Sequence, residues 1–565
     1  MRASLLAFVM FFSFNTFALV DMRNGNYSEN FTDVQISTSG FELKILRAYN
    51  SRTLYNGLFG FGWCSELGTT LRVNPDDTFR VTECGAGAEA EYRRRDGDDN
   101  ARNKLVAQII AEVRKRNKGR DDAYFKNLEF EIKRDSSLRD EFAKQLNLKG
   151  QVQAGVKYFA DGRMNDTIEL KGTEYHRALP GGTYQKFDKE GRLVQMSDRT
   201  GNFVKLTYQA GKLSRITDNK GASLTLQYVP NSKYVKTVIG PSGLKAEYKY
   251  KGELLVEVKN AWGNTFKYEY DELYNIVKIA YPDKSHVALT YNKEKDWVTS
   301  FRDRKGCVES YIYADGESDP LNNYKSDVTK KCDGKITNKS TFEFWHKVRA
   351  DGTRFLAKTR SIRNGETSET EYHPVFGRPI LVTQAGVSTR FDYFDNGMMK
   401  LRADAGRTFA YKYDDFCNKV SEVTVTFARA AAPVAQKDQN ANRKPSKVET
   451  KMIKTTFTYD KRTCYPTVAK NTEGQVATLS YDFQGRVNRI LDQSKKEVRI
   501  TYDDRFGKAA TIERPGLGKI RFKYKANGEV DKVETDESPL VAVQIADVFK
   551  QFLEMIAPAT TDTTI

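Results

Sequence analysis

Four histidines, six cysteines and 74 acidic residues are the side chains of this sequence with most chemistry to offer. The histidines, His176, His286, His346 and His373, are scattered through strand-like segments. No nucleophile motif accompanies them: there is no G-x-S-x-G, no H-E-x-x-H, no P-loop and no dinucleotide fingerprint. Acid pairs abound because turns are rich in Asp, so a glycosidase-like pair is expected by chance and carries no weight. Metal binding lacks support too, since no C-x-x-C occurs and no His lies near a Cys. The residues therefore predict no catalytic, cofactor-binding or metal site, and no enzyme.

The cysteines fit a different chemistry. Cys64, Cys84, Cys307, Cys332, Cys417 and Cys464 fall into three sequential pairs, each bracketing a candidate hairpin. Cys417 precedes the strand-like run 420–427, and Cys464 follows the run 454–459, so antiparallel pairing of those runs brings the two together. Cys307 and Cys332 are about equally spaced from the turn at Asp319-Pro320. Cys64 and Cys84 flank Asn74-Pro75-Asp76-Asp77. Six cysteines allow many pairings, and spacing alone does not choose among them. The hairpin symmetry favours 64–84, 307–332 and 417–464, and free buried thiols are the alternative.

Disulfides need an oxidising compartment, and the N-terminus agrees. Residues 1–18 read as a signal peptide: Arg2 supplies the positive charge, 5–14 the apolar stretch, and Thr16-Phe17-Ala18 the small residues before cleavage. The expected mature chain starts near Leu19 and is secreted, periplasmic or at the cell surface of a bacterium. An uncleaved anchor is the alternative. No later segment is apolar enough to cross a membrane as a helix.

These residues must be held by elements that the bulk composition constrains. The chain has 565 residues, 39% hydrophobic and 12% aromatic, with a net charge of +17. It is too long for one ordinary core and long enough for several domains or a repeat array. Its positive charge can attract anionic polymers. The basic residues are spread along the whole chain, however, and no recognition motif accompanies them, so nucleic acid is not an expected partner.

A period of about 20–22 residues organises the chain from Tyr184 onward. Each unit starts with an aromatic residue, often followed by an acid; a turn with Gly and a short apolar run come next, then a second turn. Tyr481-Asp482-Phe483-Gln484-Gly485-Arg486-Val487 is the fullest example, and Phe187-Asp188-Lys189-Glu190-Gly191-Arg192-Leu193 nearly repeats it. The second turn recurs as Asp198-Arg199-Thr200-Gly201 and Asp218-Asn219-Lys220-Gly221. Asp and Asn bond their own backbone in such turns, and Gly takes the left-handed position. Runs such as Thr265-Phe266-Lys267-Tyr268-Glu269-Tyr270 alternate with period two and predict strands. One such hairpin cannot bury its apolar face alone, but a stack can.

These motifs resemble the tyrosine-aspartate (YD, or RHS) repeats: a YD, a few residues, GR, an apolar residue, and a Gly about ten residues on. The resemblance covers 184–313 and 372–534. Residues 19–97 resemble the module that commonly precedes such repeats, through Arg47-Ala48-Tyr49-Asn50-Ser51 and Phe59-Gly60-Phe61-Gly62-Trp63. There Gly60 and Gly62 are expected to allow close backbone approach beneath Trp63. The fold class implied is all-β dominated: a long curved or spiralling antiparallel sheet of stacked hairpins, a partial or open shell, with a small helical insertion and a C-terminal helix. Larger members of the family enclose a C-terminal toxin freed by self-cleavage beside a D-P-x-G-L-like motif. Here the sole Asp-Pro, at 319–320, is mid-chain and lacks that Gly.

The remaining segments break the period. Residues 98–150 are basic and helical in pattern, with Leu105, Ile109, Ile110 and Val113 at helical spacing, Leu138, Phe142 and Leu146 likewise, and Ser136 as candidate N-cap. The array then spans 151–313, longer hairpins 314–371, and the array again 372–536, with a basic loop at 429–451. Residues 537–565 form an amphipathic helix and tail. Function follows by analogy: a non-enzymatic envelope or cell-surface scaffold whose exposed Tyr and Arg contact carbohydrate or another protein. The alternative is a shell or carrier for a separately encoded guest.

Overall fold

The computed structural model describes residues 19–535 apart from 37–40, 84–87, 95–98, 161–162, 164–165, 181, 350–353, 428–450, 505–506 and 525–529. The expected signal peptide, C-terminal helix and all but the last residue of the basic loop 429–451 lie outside the described residues.

One antiparallel sheet dominates. It runs through 36 strands in chain order, from Thr70–Val73 to Val530–Thr535. Each strand pairs with the next, and the connections are hairpins except between Ala88–Arg93 and Lys157–Ala160, where a helical insertion intervenes. The sheet is open: among the described residues its last strand pairs only with Gly518–Tyr524. Alternation explains the strands. In Phe203–Gln209, Val204 and Leu206 are buried while Lys205 and Thr207 face solvent, the period-two signature of one covered face.

The repeat residues explain the regularity. Asp482 Oδ1 accepts from the backbone N–H of Gln484 and Arg486, each at 2.9 Å, and Oδ2 accepts from Arg486 Nε at 2.6 Å. The Arg486 guanidinium then lies 4.3 Å from the ring centre of Tyr502, in the following repeat. Asp188 and Arg192 repeat this arrangement, with Arg192 stacked 5.0 Å from Tyr208. The YD-x-x-GR pattern is thus a capped turn clamped to its neighbour. The sheet also shifts register at the repeat tyrosine, as between Thr207 and Tyr208 and between Ser480 and Tyr481. Such bulges add local twist and bend to a strand, and repeated along the array they coil the sheet.

The coil brings its two edges together. A Cβ on Gly485 would lie 2.3 Å from Thr200 Cγ2 and 2.7 Å from Tyr465 Cε2, and Lys220 Nζ sits 5.6 Å from the Phe483 ring centre. Turns from one edge of the early repeats therefore meet turns from the other edge of the late repeats. At the start of the sheet, Leu71 N–H donates to Gly191 O at 2.9 Å. Gly191 has φ +78°, and a Cβ there would fall 1.7 Å from Leu71 O, so only glycine fits this contact.

Among the described residues, smaller units accompany the long sheet. Leu19–Asp21, Asn26–Ile36, Leu43–Asn50 and Trp63–Cys64 form a separate four-stranded sheet. The strands Thr70–Val73, Phe79–Glu83 and Ala88–Arg93, expected within the N-terminal module, belong instead to the long sheet. Between them and the repeats stand three helices, α1 (Asp99–Arg116), α2 (Asp122–Arg134) and α3 (Ser136–Gln145). They share a core of Leu105, Ile109, Val113, Phe125, Ile132 and Ala143. α3 begins at Ser136 itself, the residue expected to precede it as N-cap. Asp135, one residue earlier, accepts from Leu138 N–H at 3.0 Å and takes that position.

Candidate functional site: the inner face of the coiled sheet

The four-stranded module lies against one face of the long sheet, which defines the inner face. Backbone bonds stitch it there: Val235 N–H to Leu58 O at 2.9 Å, Phe61 N–H to Glu253 O at 3.0 Å, Ala261 N–H to Asp33 O at 2.8 Å, and Val298 N–H to Gly25 O at 2.9 Å. One apolar cluster joins Phe31, Tyr49 and Trp63 of the module to Leu206, Val238, Tyr268 and Tyr311 of the sheet.

Charged side chains are sealed inside this contact. Arg47 and Asp33 pair with both side chains fully buried. Asp33 also accepts from the Tyr248 hydroxyl at 2.9 Å, and Arg47 donates to the Tyr268 hydroxyl at 3.2 Å. The guanidinium sits 4.4 Å from the Trp63 ring. Burial alone would lower the Arg47 pKa, but the Asp33 carboxylate overcomes it and holds the guanidinium well above its ordinary value. Nearby, Glu29 accepts from the hydroxyls of Tyr27 and Tyr281, and burial pushes its carboxyl up. A third centre fastens the first strands: Arg177 donates to Asp166 at 2.7 Å and to Gln185 at 3.0 Å, and it also pairs with Glu83. Removing one partner from such buried pairs is costly, because the other charge is left uncompensated.

Beyond the module the inner face changes character. Ser326 marks it, since its hydroxyl donates to Met22 O at 2.6 Å. Residues opposite one another in paired strands share a face, so one row runs Ser326, Phe342, Ser361, Ser368, Gln384. A second runs Tyr324, Phe344, Thr359, Thr370, Val382, Thr389. Further along, Phe391, Tyr411, Val423 and Phe457 form a separate apolar cluster. Hydroxyls and amides spaced by the strand repeat can hydrogen-bond a bound chain.

The sequence-predicted residues have definite places. Cys307 and Cys332 are joined across the hairpin of Val308–Asp315 and Asn323–Cys332, with Cα atoms 4.3 Å apart. Cys417 and Cys464 are joined with Cα atoms 5.4 Å apart. Cys64 is bridged, while Cys84 lies outside the described residues. Gly60 approaches Glu253 O, where a Cβ would lie at 2.5 Å, and Gly62 lies against the Tyr49 ring. The close approach is thus to the sheet and to Tyr49 rather than beneath Trp63. Trp63 itself donates to the Tyr270 hydroxyl at 3.0 Å. Asp482, Gly485 and Arg486, with Asp188, Gly191 and Arg192, build the turns described above; Tyr481 and Phe187 stand at their heads.

Sequence reading expected the repeat tyrosines to be exposed for stacking on ligands. The structure corrects this: Tyr208, Tyr228, Tyr250, Tyr270, Tyr291 and Tyr481 are half-buried, and each hydroxyl donates to a backbone carbonyl 15 residues earlier. Burial pushes the Tyr208 phenol up to about 12. The histidines do not converge. His346 stacks on Tyr324 and His373 on Phe376, while His176 lies beside Glu174. Among the described residues no group of three or more His, Cys, Asp or Glu could hold a metal ion, and no helix is long and apolar enough to cross a membrane.

Sequence reasoning missed the buried charges, although one signal was present. Leu43, Ile45, Arg47 and Tyr49 share a phase of the alternating strand, and all four are buried. An arginine in phase with apolar residues needs a buried acid. Asp33 is harder to see, because it sits in a register shift between Thr32 and Val34.

Comparison with known proteins adds the family. Residues 18–97 match a domain of unknown function (DUF6531). Residues 176–374 match the Teneurin YD-shell. No curated protein matches the sequence. Among solved structures, the TcdB2-TccC3 crystal structure is 10% identical, covering 90% of this chain and 30% of that one, with a TM-score of 0.38. TcdB2-TccC3-TEV is 11% identical, with coverages of 91% and 31% and a TM-score of 0.30. The Photorhabdus luminescens Tc holotoxin pore is 9% identical, with coverages of 86% and 37% and a TM-score of 0.20. The chain spans about a third of the length of these solved structures. With the repeat turns, the bulged tyrosines and the two matched models in agreement, the chain is a YD-repeat (RHS-repeat) protein.

Proposed function

We propose that this chain is an exported, non-enzymatic shell scaffold whose inner face receives a polypeptide guest. The observation that carries the reading is the division of that face. Its first part is stoppered by the chain's own N-terminal module through backbone bonds and buried ion pairs. The same face continues past the module as rows of Ser, Thr and Gln with interspersed aromatic rings. A peptide backbone offers donors and acceptors at a spacing such rows can match, and Phe342 and Phe344 offer apolar contact. Export is supported by the reading of residues 1–18 and by the disulfides, which persist in oxidising compartments. A glycan of the envelope is the second reading. It rests on rings left exposed at the turns, such as Trp262 at 46% exposure.

Photo-crosslinking in the native envelope tests this. A crosslinker at inner positions Ser361 or Thr370 should capture one discrete protein, and one at outer position Lys347 should not. Equal capture from both faces, or none from the inner face, overturns the guest reading. Retention on wall polysaccharide that is lost in Trp262→Ala favours the second.

A further inference from the structure

The helical insertion sits on the outer face of the sheet. Leu71 belongs to the inner core, and Arg72, next along the alternating strand, points the other way. There Arg72 and Arg80 meet Asp140 of α3 at 2.8 Å and 3.0 Å, and Arg139 meets Asp76 at 3.2 Å. α1 and α2 join α3 through a core of their own. Among the described residues no hydrogen bond or ion pair joins α2 to a strand. The turn between α1 and α2 is the free end of the insertion. Every residue from Arg114 to Tyr124 is exposed, and a Cβ on Gly119 would meet nothing within 4 Å.

Positive charge accumulates at this end. Residues 112–126 hold six Lys and Arg against three Asp and Glu, a net charge of +3 that counts paired and unpaired groups alike. The three acids are engaged. Glu112 pairs with Lys115 at 2.6 Å and Asp122 with Arg114 at 2.7 Å, while Asp121 caps α2 by accepting from Tyr124 N–H at 2.8 Å. Arg116, Lys118, Arg120 and Lys126 are exposed and make no ion pair among the described residues. Glu112 and Asp122 reach Arg116 and Lys126 only through space. Rings accompany these cations. Arg120 lies 5.2 Å from the ring centre of Tyr124. Phe130, 60% exposed, stands one turn beyond Lys126 on the same face of α2, with Arg134 at 5.1 Å from its ring centre.

We infer that the free end of the α1–α2 hairpin docks the shell onto an anionic phospholipid bilayer. A protruding tip has no cleft to enclose a small ligand, but it can rest on a flat surface. Cations on that tip are drawn to anionic headgroups, and an exposed ring among cations adds apolar area that the headgroup region covers. A soluble polyanion would use the same charges and leave Phe130 idle. The tip stands on the opposite face from the guest-binding rows, so its fate does not decide the guest reading.

Co-sedimentation of the oxidised full chain with vesicles of phosphatidylcholine, with and without phosphatidylglycerol, tests it. Binding is expected only with phosphatidylglycerol, and it should fall as sodium chloride rises. Lys118→Gln should weaken it about fivefold, the worth of one cation near such a surface. The triple variant Arg116→Gln/Lys118→Gln/Lys126→Gln should weaken it about a hundredfold. Lys412→Gln, which removes the same charge from the outer repeats, should leave it unchanged. Phe130→Ser should weaken it about fivefold. No binding to phosphatidylglycerol vesicles, equal binding to phosphatidylcholine alone, or binding indifferent to the triple variant overturns the inference. Binding that ignores Phe130→Ser identifies a purely electrostatic polyanion site and overturns the bilayer as its partner. Should the variants fail to fold, the native chain still decides: phosphatidylglycerol vesicles must slow hydrogen exchange over 116–130 more than over the repeats, and their failure to do so overturns the docking site.

Discussion

The hydroxyl of Tyr481 donates to the carbonyl of Pro466, 2.7 Å away and 15 residues earlier in the chain. Tyr502 does the same to Val487 and Tyr524 to Ala509. Tyr459 keeps the bond to Val420 across a separation of 39 residues, so the relationship belongs to neighbouring strands and not to a fixed count of residues. The family's tyrosine is thus a rivet between hairpins: its ring lies in the inner layer and its hydroxyl satisfies a carbonyl at the start of the preceding strand.

Removing one rivet should cost little, and distant ones should add. Tyr481→Phe keeps the ring and loses the bond, for an expected destabilisation of about 1–2 kcal/mol. Tyr228→Phe with Tyr481→Phe should equal the sum of the two within about 0.5 kcal/mol. Denaturant midpoints at constant m-value check both; a neutral Tyr481→Phe would show that water replaces the bond at no cost.

The Arg47–Asp33 pair should behave asymmetrically. Arg47→Met leaves Asp33 buried without its cation, and about 3–5 kcal/mol is expected to be lost. Replacing both, with Asp33→Leu, should recover most of that. Limited proteolysis reports the result directly, since a loosened module exposes 19–64 while the repeats stay protected. Two single variants whose losses add in the double would mean the pair is not coupled.

The disulfides close loops with sequence separations of 25 and 47 residues. In the chain-entropy model these contribute about 3.5 and about 4 kcal/mol. Paired serine substitutions at 307/332 and at 417/464 should lower the denaturation midpoint accordingly, and reduction of the native protein, which also opens the Cys64 bridge, should lower it at least as far as both together. Midpoints insensitive to reductant would place the stability elsewhere.

Glu29 gives the module contact a pH dependence. Burial raises its carboxyl above the ordinary value, against the lowering effect of the Tyr27 and Tyr281 hydroxyls and Arg304. The folded chain therefore holds a proton that the unfolded chain has already released. Stability falls as pH rises from the ordinary carboxylate range through the raised value. Glu29→Gln is neutral throughout, so the stability of the native chain relative to this variant should decline over that window. A difference that stays flat, or rises with pH, refutes the assignment.

The period, the strands and the turn chemistry were legible in the sequence because each is decided within about twenty residues. Alternation sets the faces, Asp and Gly set the turns, and the Cys307–Cys332 link follows from hairpin symmetry about Asp319-Pro320. The start of α3 shows the limit even locally, since two candidate capping residues stand side by side and the helix begins at Ser136, with Asp135 accepting from Leu138 N–H. What only the tertiary structure decided depends on sums over many strands. The meeting of Gly485 with Thr200 needs the accumulated twist of every bulged hairpin between them, and no local pattern encodes that total. The partnership of Arg47 with Asp33, Tyr248 and Tyr268 likewise joins residues that become neighbours only once the module is seated on the coiled sheet.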